Sequence, residues 1–343
     1  MKVQVSVGLT LGIIAIAAGV IVVVAQGGSD TAVAAKAENP VLTAGPKPNT
    51  SPSPAASATV GSKTAALFQP PAEQDMPKNE FGTTVRMGKD IFEHTERYAS
   101  QYVGNNTNLR CSSCHLDAGR LAHSAPLWAA YVSYPAYRSK NQHVNTFPER
   151  LQGCFKYSMN GKAPPLGDPV LVALESYAYW LASGAPIDSK IPGRGYPKVP
   201  KPPLPGDYGR GQLVFEQHCA LCHGADGAGQ MNTNDQPNFP ALWGAKSFNW
   251  GAGMGSIENA AGFIKANMPF GLGGTLSDQQ AWDVAMFVDS HERPQDPRFK
   301  GSIAATRAQY HDSPEDMYGL MVNGQLLGKA TPSANNGNHG EKR

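Results

Sequence analysis

The chain lacks a strong excess of charge of either sign. It carries 29 Lys and Arg against 27 Asp and Glu, a formal net charge of +2. This balance excludes a generally basic nucleic-acid binder and an acidic disordered protein. Hydrophobic residues reach only 41%, too few for a polytopic membrane protein. Charged residues are scarce at 16%, whereas Gly (37) and Pro (28) are numerous, so we expect much loop. A length of 343 residues allows two domains with tails.

One long apolar stretch stands at the start of the chain, at residues 5–25. It is longer than the roughly 7–15 residues of a secretory signal and matches the roughly 20 that span a bilayer. We therefore expect residues 1–27 to form an uncleaved membrane anchor, with cleavage near Ala25 as the alternative. Lys2 favours an N-terminus in the cytoplasm. The rest of the chain is then expected on the periplasmic side of a bacterial inner membrane.

The segment after the apolar stretch has no hydrophobic period and is rich in Ala, Pro, Ser and Thr. Such a composition cannot bury enough surface to offset the entropy of ordering. We interpret residues 28–78 as a tether. As a flexible coil, it would let a folded domain move within about 40 Å of the membrane.

Cysteine is also scarce, with five in the whole chain, yet four of them form two C-x-x-C-H motifs. This motif attaches c-type haem: its two cysteines bond the porphyrin and its histidine binds the iron. A zinc ribbon requires a much shorter spacing between cysteine pairs, and a thioredoxin-like site requires a βαβ context. We therefore predict two covalently bound haem c groups. The predicted haem residues are Cys111, Cys114 and His115 in the first motif and Cys219, Cys222 and His223 in the second.

The sequence around each motif predicts a small helical module. A helix-like segment precedes each motif, at residues 88–92 and 209–215. A second helical pattern follows each one, with Asp168 as N-cap in the first module and a Ser277 capping box in the second. A Pro-rich linker runs from 191 to 205. The expected fold is mainly α, with tandem cytochrome c domains at 79–200 and 201–295 and a tail at 296–343.

Methionine is the expected distal ligand of the second haem, because His/Met ligation raises the reduction potential and suits an electron exit. Met231 follows His223 too closely, and Met286 suits a core position. Met254 is an alternative. Met268 is favoured, because a Met-Pro pair just before the last helix is typical of cytochromes c.

The distal ligand of the first haem stays open from the residues alone. His123, His143, Cys154 and Met159 are the candidates. Cys154 is the one cysteine outside the motifs, and a buried apolar role is its simplest interpretation. As a ligand, its thiolate would lower the potential and stabilise ferric iron.

The chain resembles the thiosulfate dehydrogenases of the TsdA type, which are di-haem cytochromes c. The resemblance extends over residues 80–295 and is carried mainly by ERLQGCFKYSMNG at 149–161. It implies that Cys154 binds the iron of the first haem and that Met268 binds that of the second. Some members also have a switching lysine before this methionine, whereas this chain has Asn267. The matching segments lie at 110–120, 134–140, 149–161, 180–184 and 265–270.

Residues 110–162 carry seven basic and two acidic side chains. This excess of positive charge favours an anion-binding site beside the first haem. Thiosulfate is a dianion, so cations lower the repulsion between two of them. The resemblance places the family's anion-binding residues at Arg150 and Ser158. Further candidates for substrate binding are Arg138, Lys140, Lys156 and Asn160.

The implied reaction joins two thiosulfates into tetrathionate and releases two electrons. We hypothesise that Cys154 leaves the iron, bonds one thiosulfate and is displaced by a second. The electrons pass from the first haem to the second and then to an external acceptor such as a small cytochrome c. The alternatives are a non-catalytic, membrane-anchored di-haem electron carrier and a Sox-type sulfur-oxidising cytochrome subunit, which would need a partner carrying the sulfur.

Overall fold

The computed structural model describes residues 66–330, except 105–106, 108, 141, 188–189 and 232–236. The predicted anchor and residues 28–65 of the predicted tether lie outside these residues, as does the end of the chain from 331. The tether prediction is wrong for residues 66–78, because Phe68 packs on Trp128 with the ring centres 5.1 Å apart and Met76 is buried. No helix in the described segments combines the length and apolar character needed to cross a bilayer.

The described segments are mainly helical, with short strands paired in antiparallel hairpins. The helices are α1 Glu80–Glu93, α2 Thr95–Tyr98, α3 Leu116–Gly119, α4 Leu127–Tyr131, α5 Phe147–Gly153, α6 Pro169–Leu181, α7 Tyr208–His218, α8 Ala220–His223, α9 Ile257–Asn267, α10 Asp278–Asp289 and α11 Ile303–Tyr310. The hairpins pair β1 Ala136–Arg138 with β2 His143–Asn145, β3 Gln230–Met231 with β4 Pro237–Phe239, and β5 Met321–Val322 with β6 Gln325–Leu326. Short 3₁₀ turns lie at Glu73–Asp75, Ser100–Tyr102, Cys111–Ser113 and Gly253–Gly255.

A glycine allows the closest helix contact in each half of the described chain. In α1, a Cβ on Gly88 would lie 2.0 Å from the Ala173 carbonyl oxygen of α6. In α7, a Cβ on Gly211 would lie 2.0 Å from the Asp283 carbonyl oxygen of α10. Helix crossings this close exclude any side chain at the contact. The two halves therefore repeat one device, in which the helix before the motif crosses a later helix through a glycine.

The predicted helix caps of α6 and α10 are present. Asp168 accepts a hydrogen bond from the Val170 amide at 2.9 Å, and Pro169 occupies the first turn. Ser277 and Gln280 form a reciprocal capping box, with bonds of 3.1 and 2.8 Å. Because caps satisfy the free amides at a helix start, they set where both helices begin.

The described part of the C-terminal segment is packed against the rest. Tyr318 and Leu327 are buried in one apolar cluster with Trp250 and Ile257. Arg307 donates to the carbonyl oxygens of Asp316 and Tyr318, which fixes the turn after α11. The segment thereby brings Arg298, residues 309–312 and Asp316 to the wall of a cavity.

Candidate active site

The first C-x-x-C-H motif lies on the wall of a cavity of about 240 Å³, which we call the Cys154 cavity. The Cys111–Ser113 turn positions the motif, and the Cys111 amide donates to Thr95 Oγ1 at 3.1 Å. Burial raises the pKa of the Cys111 thiol to about 12 and that of Cys114 to about 11. The cavity is defined by Cys111, Cys114, His115, Arg138, Arg150, Cys154, Ser158 and Met159.

The second motif lines a separate cavity of about 360 Å³, which we call the Met268 cavity. It is defined by Cys219, Cys222, His223 and Met268, with apolar walls from Phe263, Ile264 and Val284. Burial raises the pKa of the Cys219 thiol to about 11 and lowers that of the His223 imidazole.

Both motif histidines make a hydrogen bond that fixes the tautomer needed for binding iron. His115 Nδ1 lies 2.7 Å from the Ala125 carbonyl oxygen, and His223 Nδ1 lies 2.9 Å from that of Pro240. A carbonyl only accepts, so each Nδ1 carries the proton and each Nε2 keeps a lone pair for a metal. Burial lowers the pKa of His115 to about 4, which keeps its imidazole neutral. With all motif thiols free of disulfides, the residues of both cavities fit haem c.

Cys154 stands where the helix geometry changes. The helix α5 begins with a capping box between Thr146 and Glu149 and a proline in its first turn. It continues into a π-helical turn at Cys154–Ser158. π-helical turns are rare in proteins overall, and those that occur are often found at functional sites. Here the turn brings the thiol of Cys154 and the hydroxyl of Ser158 to one cavity.

Arg150 donates from Nη1 to Cys154 Sγ at 2.8 Å, one helical turn away. The charge of Cys154 raises the pKa of Arg150. Arg138 lines the same cavity, and burial together with the charge of Arg150 lowers its pKa. The site therefore places two guanidinium groups beside one thiol, an arrangement that stabilises a thiolate and attracts anions.

Of the other candidates for the first haem, only Met159 lines the Cys154 cavity. His143 is half exposed and lies 3.7 Å from Glu149, and His123 lies outside the wall. Of those for the second haem, Met254 and Met268 both line the Met268 cavity. Met286 packs beside the apolar cluster of Trp250 and Tyr318, and the side chain of Met231 lies outside what the structure describes.

The remaining predicted substrate residues separate into two groups. Lys140 and Lys156 line a third, polar cavity of about 730 Å³, which they share with Tyr157, Arg298 and His311; we call it the polar cavity. Asn160 is on none of the three walls described here, and its Oδ1 accepts a hydrogen bond from Asn249 Nδ2 at 3.1 Å.

Three residues of the polar cavity were not predicted from the sequence: Tyr157, Arg298 and His311. Tyr157 lies within the block that carries the family resemblance, so its position was a usable signal. Arg298 and His311 follow the last helix of the second module, where no motif marks them. Asp296 joins both: Arg298 Nε donates to its Oδ1 at 2.9 Å, and His311 Nε2 lies 2.9 Å from its Oδ2.

Two motif cavities within a mainly helical fold define a cytochrome of the c type. A family profile described as "Cytochrome C oxidase, cbb3-type, subunit III" matches residues 206–288. The chain is 62% identical over 265 residues to a thiosulfate dehydrogenase of Thiomonas intermedia, covering 77% of this chain and 83% of the relative. It is 52% identical to that of Stutzerimonas stutzeri, covering 77% and 86%. The chain belongs to the thiosulfate dehydrogenase family.

A solved structure is similar as well. It is described as "Thiosulfate dehydrogenase (TsdBA)" from Marichromatium purpuratum, and it matches with a TM-score of 0.74 and 47% identity. The match covers 78% of this chain and 59% of that chain. The likeness therefore covers most of the present protein and somewhat more than half of the other.

Proposed function

We propose that this enzyme oxidises two thiosulfate ions to tetrathionate, in a reaction that can also run in reverse. The main support for this proposal is the contact of 2.8 Å between Arg150 Nη1 and Cys154 Sγ, in the cavity that the first motif also lines. A plain electron carrier needs no thiol held by a cation in such a cavity. The names of the relatives support the same reaction.

Two haem c groups are part of the proposal. Each haem, when bound, takes one electron at its iron, so two haems match the two electrons released by one new S–S bond. Cys111 and Cys114 would hold the first, with His115 and Cys154 as iron ligands. Cys219 and Cys222 would hold the second, with His223 and Met268 as ligands.

The Cys154 thiolate is the proposed nucleophile. In the first step, its sulfur and the outer sulfur of one thiosulfate form an S–S bond, and these two sulfurs give up two electrons. In the second step, the outer sulfur of another thiosulfate attacks the sulfur bonded to Cys154. A new S–S bond forms, the bond to Cys154 breaks, and tetrathionate leaves with Cys154 again a thiolate. The second step is an exchange without net oxidation.

The cations of the cavity hold the anions during both steps. Arg150 contacts the sulfur of Cys154 directly, which orients it toward the cavity and places a positive charge where the anions bind. Arg138 and Ser158 line the same wall and are the proposed ligands of the sulfonate oxygens. Because like-charged reactants repel, positive groups fixed beforehand lower the barrier.

The exit of electrons follows from the arrangement of the two cavities. They share a wall formed by Leu109, Arg110, Cys114, Phe248 and Met254, so the two haems would lie close together. From the second haem, electrons would pass to an external acceptor such as a soluble or membrane-bound cytochrome c.

The proposed organisation has haem domains at 79–200 and 201–295, joined by the Pro-rich segment. Exported haem proteins of this class act in the periplasm, which is the proposed location. Anchoring to the inner membrane through residues 5–25 belongs to the same proposal, and that stretch lies outside the described residues.

The test is tetrathionate formation from thiosulfate with ferricyanide as acceptor. Wild-type holoprotein should form it, and Cys154→Ser holoprotein with both haems attached should lose the activity. Near wild-type turnover by Cys154→Ser would exclude the covalent step. Absence of turnover in the wild type, together with reversible haem reduction, would instead favour an electron carrier or a subunit that needs a sulfur-carrying partner.

A further inference from the structure

The polar cavity lies directly beside the Cys154 cavity. Both are lined by Ala252, Gly253 and Asn259. A Cβ on Gly253 would meet no atom within 4 Å, so the space beside this residue is open. The polar cavity is about 730 Å³, against about 240 Å³ for the Cys154 cavity, which leaves room for an anion of its own.

Two ammonium groups flank one aromatic ring in this cavity. Lys140 Nζ lies 4.2 Å and Lys156 Nζ lies 5.4 Å from the centre of the Tyr157 ring. Lys140 also donates to the Gly251 carbonyl oxygen, a neutral partner. Both lysines are half-buried.

These lysines lack an acidic partner among the described residues, since every ion pair found there uses other cations. The nearby carboxylates are already engaged. Asp296 is held by Arg298 and His311, and Asp316 accepts from His311 and from the Tyr318 amide. Asp312 is exposed at the rim. Partly buried charges are normally neutralised by a partner. Because these lysines have no acidic partner among the described residues, an anionic ligand would supply the missing negative charge.

Burial and the charges of Arg298 and Arg150 lower the pKa of Lys140 to about 7, although Asp296 opposes them. Burial alone lowers the pKa of an ammonium group, and the guanidinium groups of Arg298, Arg150 and Arg138 add to this effect against the single carboxylate of Asp296. An anion in the cavity would reverse that imbalance.

We propose that the polar cavity is a second anion site, in which Lys140 and Lys156 hold the thiosulfate that is not bonded to Cys154. The inference rests on the proposed function and deepens it, because it divides substrate binding between two sites. Arg150, Arg138 and Ser158 serve the sulfur bonded to Cys154, and the lysines serve the attacking ion. Asn259 and Gly253 line both cavities, so the attacking ion would pass beside them.

The first test uses steady-state kinetics of the complete holoprotein. Lys140→Gln should raise the half-saturating thiosulfate concentration about tenfold, since a charge-assisted contact is typically that large, while kcat changes little. Lys140→Arg, which keeps the charge, should restore most of the loss. Lys300→Gln is the matched control, because Lys300 is exposed and lies outside the cavity; it should behave as wild type.

The second test measures binding without turnover. Calorimetry with thiosulfate should resolve two binding events per chain for Cys154→Ser holoprotein, and one of them should be about tenfold weaker in Cys154→Ser/Lys140→Gln. An unchanged half-saturating concentration in Lys140→Gln, or equal affinities in the two proteins, would overturn the second site. The proposed function would survive both results, whereas a wild-type protein that forms no tetrathionate would overturn the function and this site with it.

Discussion

The Cys154 cavity and the Met268 cavity each place a C-x-x-C-H motif beside a sulfur-containing side chain from a later element. Around Cys154 stand Arg150 and Arg138, whereas around Met268 stand Phe263, Ile264 and Val284. The scaffold is shared, since each motif histidine donates to a backbone carbonyl and each helix pair crosses at a glycine. Under the proposed function, the charges beside each cavity and the reactivity of one sulfur direct the first cavity to substrate chemistry and the second to electron transfer.

The largest effect should come from making the first cavity resemble the second. Cys154→Met replaces the nucleophile with a thioether, which can ligate iron but cannot form the exchangeable S–S bond. We expect thiosulfate oxidation to fall by about 10³-fold or more and the potential of the first haem to rise. Turnover with ferricyanide and a spectroscopic redox titration would measure both. Activity within a few-fold of wild type would refute the distinction between the cavities.

Removing the cation beside the thiol should have the next largest effect. Arg150→Gln leaves Cys154 in place but removes its charge-assisted contact at 2.8 Å. We expect kcat/KM for thiosulfate to fall about 100-fold, equivalent to about 2.7 kcal/mol. Arg97→Gln is the control, because Arg97 is exposed and outside the cavity. Equal kinetics for the two variants would remove the role of Arg150.

The shared scaffold can be tested through its glycines. Gly88→Ala and Gly211→Ala would each put a methyl group where a carbonyl oxygen lies 2.0 Å away, and overpacking of this kind costs about 1–3 kcal/mol. Gly209→Ala lies in the same helix as Gly211 but meets only an ordinary contact at 3.5 Å, so it should be neutral or slightly stabilising. Thermal unfolding of the holoproteins compares them. Equal stability of all three variants would contradict the close crossing.

The smallest expected effect is a pH dependence. Burial and the neighbouring cations lower the pKa of Lys140 to about 7, so its ammonium carries charge below this pH and loses it above. The half-saturating thiosulfate concentration should therefore rise roughly fivefold between pH 6 and pH 8. Lys140→Arg, charged throughout, should flatten this rise, and an unchanged profile would exclude Lys140 as its source. The charged groups that face Lys140 or line its cavity are Arg138, Arg150, Lys156, Asp296, Arg298, His311, Asp312 and Asp316.

Much of the site was predictable because its residues lie close together in sequence. Cys154 and Arg150 are one helical turn apart, and the family block contains both. Local signals also placed the caps of α6 and α10, since a cap depends only on its own helix. The sequence predicts a helix before the second motif, but its pattern does not show which glycine of that helix meets α10. The packing shows that it is Gly211.

The polar cavity was not predictable from the sequence. Lys140 was expected beside Cys154, but β1 ends at Arg138 and the following turn carries Lys140 to the neighbouring cavity. Arg298 and His311 come from a segment whose place depends on the burial of Tyr318 and Leu327 against Trp250. Such long-range contacts leave no periodic signal in the chain.

The covalent role of Cys154 has one direct measurement. Oxidised holoprotein is mixed with thiosulfate, quenched in acid, digested, and analysed by peptide mass. The account predicts that the peptide containing Cys154 gains the mass of one thiosulfate, that a second addition of thiosulfate removes it as tetrathionate, and that Cys154→Ser shows neither change. An unmodified Cys154 peptide throughout active turnover would contradict it.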